Sequence, residues 1–239
     1  MWWFQAVHAN LLLLYQKLDA LGTAQPLLDA GCGTGGLLAR ISAAYPGRTM
    51  IGLDSDAAAA ARAAAKSGRP TCAGSVNALP FSEGAFGAIV SADVLCHGGV
   101  DDDGALRQFH RCLRDGGLLI LNLPAYGWML SRHDVAVYNA RRYTLRGACR
   151  LLRGAGFRLL FASYWNAVLF PVMVVARKLL RDGAGATSDV RLYPRPVEAF
   201  CHAATGIERA LLRHGWRLPF GGSLIAVAAK EPATGSNHA

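Results

Sequence analysis

Gly31, Gly33 and Gly35 stand at alternate positions just after Asp29, in the apolar run Leu27-Leu28-Asp29-Ala30. Glycine lets a chain turn tightly and approach a ligand with no Cβ in between. The pattern Gly-x-Gly-x-Gly differs from the Gly-x-Gly-x-x-Gly of dinucleotide sites, and no Lys-Ser/Thr follows to hold a phosphate. Asp29 adds a negative charge, which repels pyrophosphate and attracts a cation. About 20 residues on, Met50-Ile51-Gly52-Leu53-Asp54 closes a second apolar run in an acid, where a carboxylate would grip a ribose diol. A nucleoside that carries positive charge and no phosphate meets both conditions. S-adenosylmethionine is such a ligand.

A methyl group on a sulfonium moves by in-line displacement. The protein then has to position the acceptor and take up its proton. Neutral imidazole suits the second task near pH 7. His97 and His133 are the candidate bases, with Tyr138 and Asp134 as second choices. The six cysteines show no Cys-x-x-Cys and no paired Cys/His spacing, so neither a metal site nor a disulfide framework is expected.

These residues need an α/β frame. Short apolar runs at 26–30, 49–53, 71–73, 86–92, 118–123, from Gly156-Phe157 to about 165, and at 224–229 read as strands. Helical spacing is expected at 36–44, from a Ser55 or Asp56 cap to about 66, at 105–113, from a Thr144 cap to 154, from Pro171 to about 180, and at 197–214. Phe200, Ala203, Ile207 and Leu211 form one apolar face of the last helix. Asp115-Gly116-Gly117 reads as a tight turn. Ligands bind at the carboxyl ends of parallel strands, so Asp93 and His97, after the fourth strand, should lie near the reactive end of the site. Residues 125–144 leave the fifth strand at that same edge and concentrate Tyr126, Trp128, His133, Asp134, Tyr138, Arg141, Arg142 and Tyr143. Such groups would line a substrate. The alternative is a structural network, with Asp134 paired to Arg141 or Arg142 and Tyr143 filling a crevice.

Four stretches occur in order: Leu28-Asp29-Ala30-Gly31-Cys32-Gly33-Thr34-Gly35, Gly52-Leu53-Asp54, Ala78-Leu79-Pro80-Phe81, and Leu113-Arg114-Asp115-Gly116-Gly117. In this order and spacing they resemble the class I S-adenosylmethionine-dependent methyltransferases. The resemblance implies a Rossmann-like seven-stranded, mostly parallel sheet. Its last strand is antiparallel, helices lie on both faces, and helical lid and cap insertions are added. It implies cofactor contacts from Asp29, Gly31, Cys32, Gly33, Gly35, Asp54, Ser55, Ser75, Val76, Asp93 and Val94. Ser75 stands where the family often has an acid for the adenine amino group, and the Val76 amide can serve the ring nitrogen. The family also covers its cleft with an N-terminal helix, so Trp3 could wall the site. A bacterial subgroup shares the His-Asp and Arg-Arg-Tyr-Thr of the insertion, and this extends the substrate candidates to Tyr126, Trp128, Arg141, Arg142 and Tyr143. The organisation implied is a lid helix at 1–22, a cofactor core at 23–124 and a substrate insertion at 125–144. A core helix and strand at 145–165, a helical cap at 166–220, a last strand at 221–230 and a tail at 231–239 follow.

Charge divides the chain. Residues 1–125 hold 9 Lys/Arg against 10 Asp/Glu, net −1, and residues 126–239 hold 16 against 6, net +10. An anionic substrate, a membrane surface or nucleic acid near the second half would account for this, as would a merely solubilising arginine surface. The apolar stretch 166–180 is interrupted by Asn166, Pro171 and Arg177-Lys178, which argues against a membrane span. It reads as a helix that is buried, pairs with a second copy in a homodimer, or touches lipid beneath its basic end. Unpaired cysteines and the lack of a basic leader point to the cytoplasm.

The expected activity is methyl transfer to an oxygen or nitrogen of a small-molecule or lipid-linked metabolite, an anionic one being among the readings of the charge asymmetry. A nucleic-acid methyltransferase is the first alternative. Against it, the fourth strand ends in Ala92-Asp93-Val94-Leu95, not in the Asn/Asp-Pro-Pro-Tyr/Phe that grips a base amine. The second alternative is a cofactor-binding protein that no longer methylates or that catalyses another reaction. Ser75, Cys96 and Asn139 depart from the family pattern and keep that alternative open.

Overall fold

Apolar strands of three to twelve residues alternate with helices through the first half of the chain, and this alternation builds a parallel sheet. The computed structural model describes residues 1–18, 25–131, 134, 138–179 and 193–232. Seven strands lie in the order β3-β2-β1-β4-β5-β7-β6. They are β1 (Leu27–Ala30), β2 (Met50–Asp54), β3 (Thr71–Ala73), β4 (Phe86–Ala92), β5 (Leu113–Pro124), β6 (Phe157–Trp165) and β7 (Ser223–Lys230). Pairing is parallel from β3 across to β5, and β7 inserts antiparallel between β5 and β6. This is the Rossmann-like arrangement that the four motifs imply.

The helices are α1 (Trp2–Leu18), α2 (Gly36–Ala44), α3 (Ala57–Ser67), α4 (Asp102–Cys112), α5 (Leu145–Gly154), α6 (Phe170–Leu179) and α7 (Arg195–Arg213). Local chemistry sets their ends. The Asp56 carboxylate accepts the Ala58 amide to start α3, and Gly68 stops that helix in a left-handed conformation. The Thr144 hydroxyl accepts the Gly147 amide to start α5. Asp102 and Asp103 occupy the first turn of α4, where the helix dipole favours them.

Two cores flank the sheet. One packs α4 and α5 through Leu106, Phe109 and Leu152 against Ile89, Leu119 and Leu121. The other packs α1 and α2 through Leu11, Leu14, Leu38 and Ile41 against Leu27, Val90, Ile120 and Ile225. The inner strands β1, β4, β5 and β7 thus have apolar partners on both faces, which explains runs that do not alternate.

Three expectations need correction. The turn at Asp115-Gly116-Gly117 is not a boundary before a strand. Instead β5 begins at Leu113, opposite Phe86, and carries an irregularity with Gly116 at φ 72°. The apolar face of α7 formed by Phe200, Ala203, Ile207 and Leu211 is not the packed one. Cys201, Ala204, Thr205, Glu208 and Leu212 are buried, while Phe200 and Ile207 are 60% and 64% exposed. Polar demand sets this rotation, because Glu208 accepts the backbone N–H groups of Asn166 and Val168, and Glu198 accepts that of Trp2. Nor is α6 buried all round, since its Val172 and Val175 are 65% and 53% exposed. Of the expected tail, residues 233–239 lie outside the described residues.

Candidate active site

The glycine turn links β1 to α2, and its three glycines serve different ends. A Cβ on Gly31 would come 2.2 Å from the Val94 side chain, and one on Gly35 would come 2.6 Å from the Ala63 backbone of α3. Those two glycines let neighbouring segments close on the turn. Gly33, at φ 52°, has open space where its Cβ would project. That open side faces nothing of the protein, as a ligand cradle requires. The Gly31 and Cys32 amides donate to the Leu53 carbonyl at 2.7 and 2.9 Å, and the Gly33 amide donates to Asp54 Oδ2 at 2.7 Å. Asp54 Oδ1 accepts from the Asp56 amide at 3.0 Å. The second acid therefore pins the turn and keeps lone pairs for a diol. Ser55 is exposed beside it.

Asp29 is fully buried, and its Oδ2 has no hydrogen-bond partner among the described residues. Burial, then the neighbouring Asp54, raise its pKa to about 7, against the pull of the Leu38 amide. A buried carboxyl with an orphaned oxygen, set beside a second carboxyl, is the electrostatic complement of a cationic ligand. The residues at the turn fit S-adenosylmethionine. Asp29 and the Gly31–Gly35 backbone would face its positive amino-acid end, and Asp54 the ribose. Val76 is buried at the far side, and Ser75 Oγ accepts from the Asn77 amide at 3.2 Å.

The strand ends carry the strain. Among the described residues, four non-glycine residues have positive φ: Asp93, Tyr126, Tyr138 and Asn166. Asp93 follows β4, Tyr126 lies just past β5, Asn166 follows β6, and Tyr138 lies in the insertion, so all four sit along the carboxyl edge. Left-handed backbone at such residues is uncommon and tends to gather at functional sites. Asp93 Oδ1 accepts from Asn122 Nδ2 at 2.9 Å, and burial raises its pKa to about 7 against the Asn122 hydrogen bond and the Arg142 charge. Asn122 Oδ1 in turn accepts from Trp165 Nε1 at 2.8 Å, and Trp165 stacks on Trp3 with ring centroids 5.0 Å apart. Trp3 of α1 is thereby joined to Asp93 through two hydrogen bonds and a stacked pair. Neither Asn122 nor Trp165 was singled out from sequence. The available signal was a lone amide in the otherwise apolar run Leu118 to Pro124.

His97 is half-buried beyond β4. Burial lowers its pKa, opposed by a hydrogen bond to the Asp93 carbonyl and by the Asp54 charge, so the ring is neutral at pH 7. It forms a β-bridge with Asn139, which brings the insertion back across the strand ends. Cys96 Sγ lies 3.1 Å from Asn139 Oδ1. Next to the strand ends stands a wall of rings. Tyr126 stacks on Tyr164 at 5.1 Å and meets Trp128 at 5.6 Å and Phe170 at 5.3 Å, and Phe170 meets Phe220 at 6.2 Å.

Several expected site residues are engaged elsewhere. Asp134 is fully buried, and Arg142 grips its Oδ1 through Nε at 3.0 Å and Nη2 at 2.6 Å. Ser131 donates to Asp134 Oδ2 through its amide and hydroxyl, both at 2.9 Å. A carboxylate held this way is no free base, and Arg142, with Nη1 also on the Ala125 carbonyl, is no free substrate ligand. Tyr143 is likewise buried, its hydroxyl 2.8 Å from the Leu95 carbonyl and 2.9 Å from Asp102 Oδ2. Arg141 is partly exposed and 3.3 Å from Asp102 Oδ1. Tyr138 is 80% exposed and points its ring to solvent, so it is not a buried base. His133 lies outside the described residues. Among the described residues no group of three or more His, Cys, Asp or Glu could hold a metal ion, and no helix is long and apolar enough to cross a membrane.

Residues 28–121 match the family model for a methyltransferase domain. Over 122 residues, 50% of this chain, the sequence is 34% identical to the malonyl-[acyl-carrier protein] O-methyltransferase of Dechloromonas aromatica (strain RCB). That match spans 44% of the relative's length, less than half of it. The structure of phosphoethanolamine N-methyltransferase 2 of Haemonchus contortus in complex with S-adenosyl-L-methionine shares the fold. Its TM-score is 0.61 at 16% identity, over 93% of this chain and 52% of that one. The [4+2]-cyclase SpnF shares it too, with a TM-score of 0.58 at 20% identity over 92% and 81% of the two chains. The domain match, the ordered motifs and the paired carboxyls at the glycine turn lead to one conclusion: residues 28–121 form a methyltransferase domain on a Rossmann-like fold, with a turn that fits S-adenosylmethionine.

Proposed function

We propose that the chain transfers the cofactor's methyl group to an oxygen or nitrogen of a small-molecule or lipid-linked acceptor with an apolar body. One observation carries this reading. The strained carboxyl edge is acidic at β1 and β2, where the cofactor's charge belongs, and aromatic past β5 and β6, where Tyr126, Tyr164 and Phe170 gather. Among the described residues no cation cluster stands between these rings, which suits an apolar acceptor rather than a polyanion. The named reaction of the curated relative makes an acyl group on a carrier protein, methylated at oxygen, the first acceptor to test.

When bound, the cofactor supplies a methyl group already activated by sulfonium charge. The chain's own part is orientation and proton removal. The ring wall holds the acceptor body and keeps water from it. His97, neutral and anchored on the Asp93 carbonyl, takes the proton that an O–H or N–H acceptor must lose. His133 is a second candidate for that proton. Asn122 and Trp165 act through Asp93 and Trp3 and are positioning residues.

The test is incubation of the purified chain with methyl-labelled cofactor, first with malonyl-acyl-carrier protein and then with a cell extract. Label in acyl or other small-molecule esters, ethers or amines supports the proposal. Label in nucleic acid assigns the chain to that class instead. Cofactor uptake with no transfer to any fraction favours a different reaction on the same fold, a reading kept open by the shared fold of a [4+2]-cyclase. His97→Ala should lower kcat with little change in cofactor affinity.

A further inference from the structure

Helix α7 has two apolar faces, and among the described residues only one is packed. Its 19 residues span about 28 Å. The inner face packs through Cys201, Ala204 and Leu212. The outer face carries Ala199, Phe200, Ala203, Ile207 and Ala210 at helical spacing, with Phe200 and Ile207 more than half exposed. Charge is sorted just as sharply. Glu208 is turned inward onto the Asn166 and Val168 amides, and half-buried Glu198 is taken by the Trp2 amide. The cations Arg195, Arg209 and Arg213 lie along one flank of the apolar stripe, and none has a carboxylate within ion-pair distance among the described residues. Arg40 of α2 stands near enough to Arg209 to add to this field; burial, then Arg40 and Arg213, lower the Arg209 pKa. Arg40, Arg209 and Arg213 act on one another at one end of the helix, with no carboxylate in ion-pair distance among the described residues, and gain from an external anion, as does Arg195 at the other end.

We propose that the outer face of α7 docks on the surface of an anionic membrane, with Phe200 and Ile207 entering the headgroup–acyl boundary and Arg195, Arg209 and Arg213 facing lipid phosphates. The apolar stripe offers no side-chain hydrogen-bonding group, so a polar protein or an RNA would leave it unmatched, whereas an interfacial helix uses this combination. Helix α6 adds a second apolar exposure at Val172 and Val175, followed in sequence by Arg177 and Lys178. This docking is independent of which acceptor is methylated. It would put the enzyme on the surface where lipid-linked molecules reside.

The test is co-sedimentation of the full chain with phosphatidylcholine vesicles containing about 30% phosphatidylglycerol, and with pure phosphatidylcholine vesicles. The chain should pellet with the anionic vesicles at least about tenfold more strongly, and the difference should shrink in high salt. The double substitution Phe200→Asp and Ile207→Asp should lower binding about tenfold or more, and Arg213→Glu about fivefold. Both variants should keep the wild-type melting temperature and cofactor affinity, because these side chains lie on the surface. Absence of binding by the wild-type chain overturns the proposal, as does binding that survives both sets of substitutions. Light scattering that shows a dimer dissolved by the Asp substitutions, without vesicle binding, assigns the face to a second copy. Binding to homopolymeric RNA but not to vesicles assigns it to nucleic acid.

Discussion

The cofactor edge and the proposed acceptor edge of this sheet are held by different means. At β1 and β2 the backbone makes the site. Gly31, Gly33 and Gly35 take left-handed φ, and amides of the turn meet the Leu53 carbonyl and the Asp54 carboxylate. Past β5 and β6 the side chains make it. Asp134 and Arg142 pin the insertion, Tyr143 ties it to Leu95 and Asp102, and Glu208 holds the turn after β6. A backbone-built site requires glycine at fixed spacing and leaves a readable motif. A side-chain-built site can place its partners 40 or more residues apart, as Asn166 and Glu208 show, and leaves none.

This contrast predicts where substitutions act, and four of them rank it. The largest expected effect is at Asp29. Its folded pKa of about 7 lies above the unfolded value of 3.8, so the folded state holds the extra proton between those values. Asp29 therefore favours folding below about pH 4, and that advantage is lost as pH rises through 7. Asp29→Asn should raise the stability of the cofactor-free chain at pH 8 by on the order of 4 kcal/mol and flatten its pH dependence, while weakening cofactor binding. Denaturant titrations at pH 5 and pH 8 measure this. A variant as pH-sensitive as the parent would mean that the buried acid is not the source.

Glu208→Ala comes next. It leaves the buried Asn166 amide and the part-buried Val168 amide without an acceptor and should lower stability by about 2–3 kcal/mol, with Glu208→Gln recovering part of the loss. Gly35→Ala should cost about 2–3 kcal/mol, from the left-handed φ and the close Ala63 backbone. Gly33→Ala is the sharper partner to it. With open space at its Cβ, it should cost only about 1 kcal/mol in thermal unfolding and yet remove cofactor uptake. Equal stability losses at Gly33 and Gly35 would erase the distinction between a glycine facing a ligand and one facing a neighbouring helix.

Much of the cofactor half was legible because its determinants are local. Asp56 and Gly68 bound α3, Thr144 opens α5, and the apolar runs from Leu27 and Phe86 can only be buried strands. The second half was legible only in part. Apolar periodicity selected the Phe200–Ile207 face of α7, but the demand of the Asn166 and Val168 amides for a carboxylate turned that helix the other way. Asp134 and Arg142 looked equally like catalytic groups or a structural pair, since spacing alone does not record a bidentate grip. Asn122 connects Asp93 to Trp165 across strands that are distant in sequence, and no local pattern encodes that link.

Titration calorimetry of the purified chain with S-adenosylmethionine, run at pH 6 and pH 8 in buffers of different ionisation enthalpy, probes the paired carboxyls most directly. The account predicts uptake of one cofactor per chain, tighter at pH 8, with proton release at pH 6 as the bound cation draws Asp29 into its charged form. No heat with either S-adenosylmethionine or its demethylated product, or binding indifferent to pH and to Asp29→Asn, would contradict it.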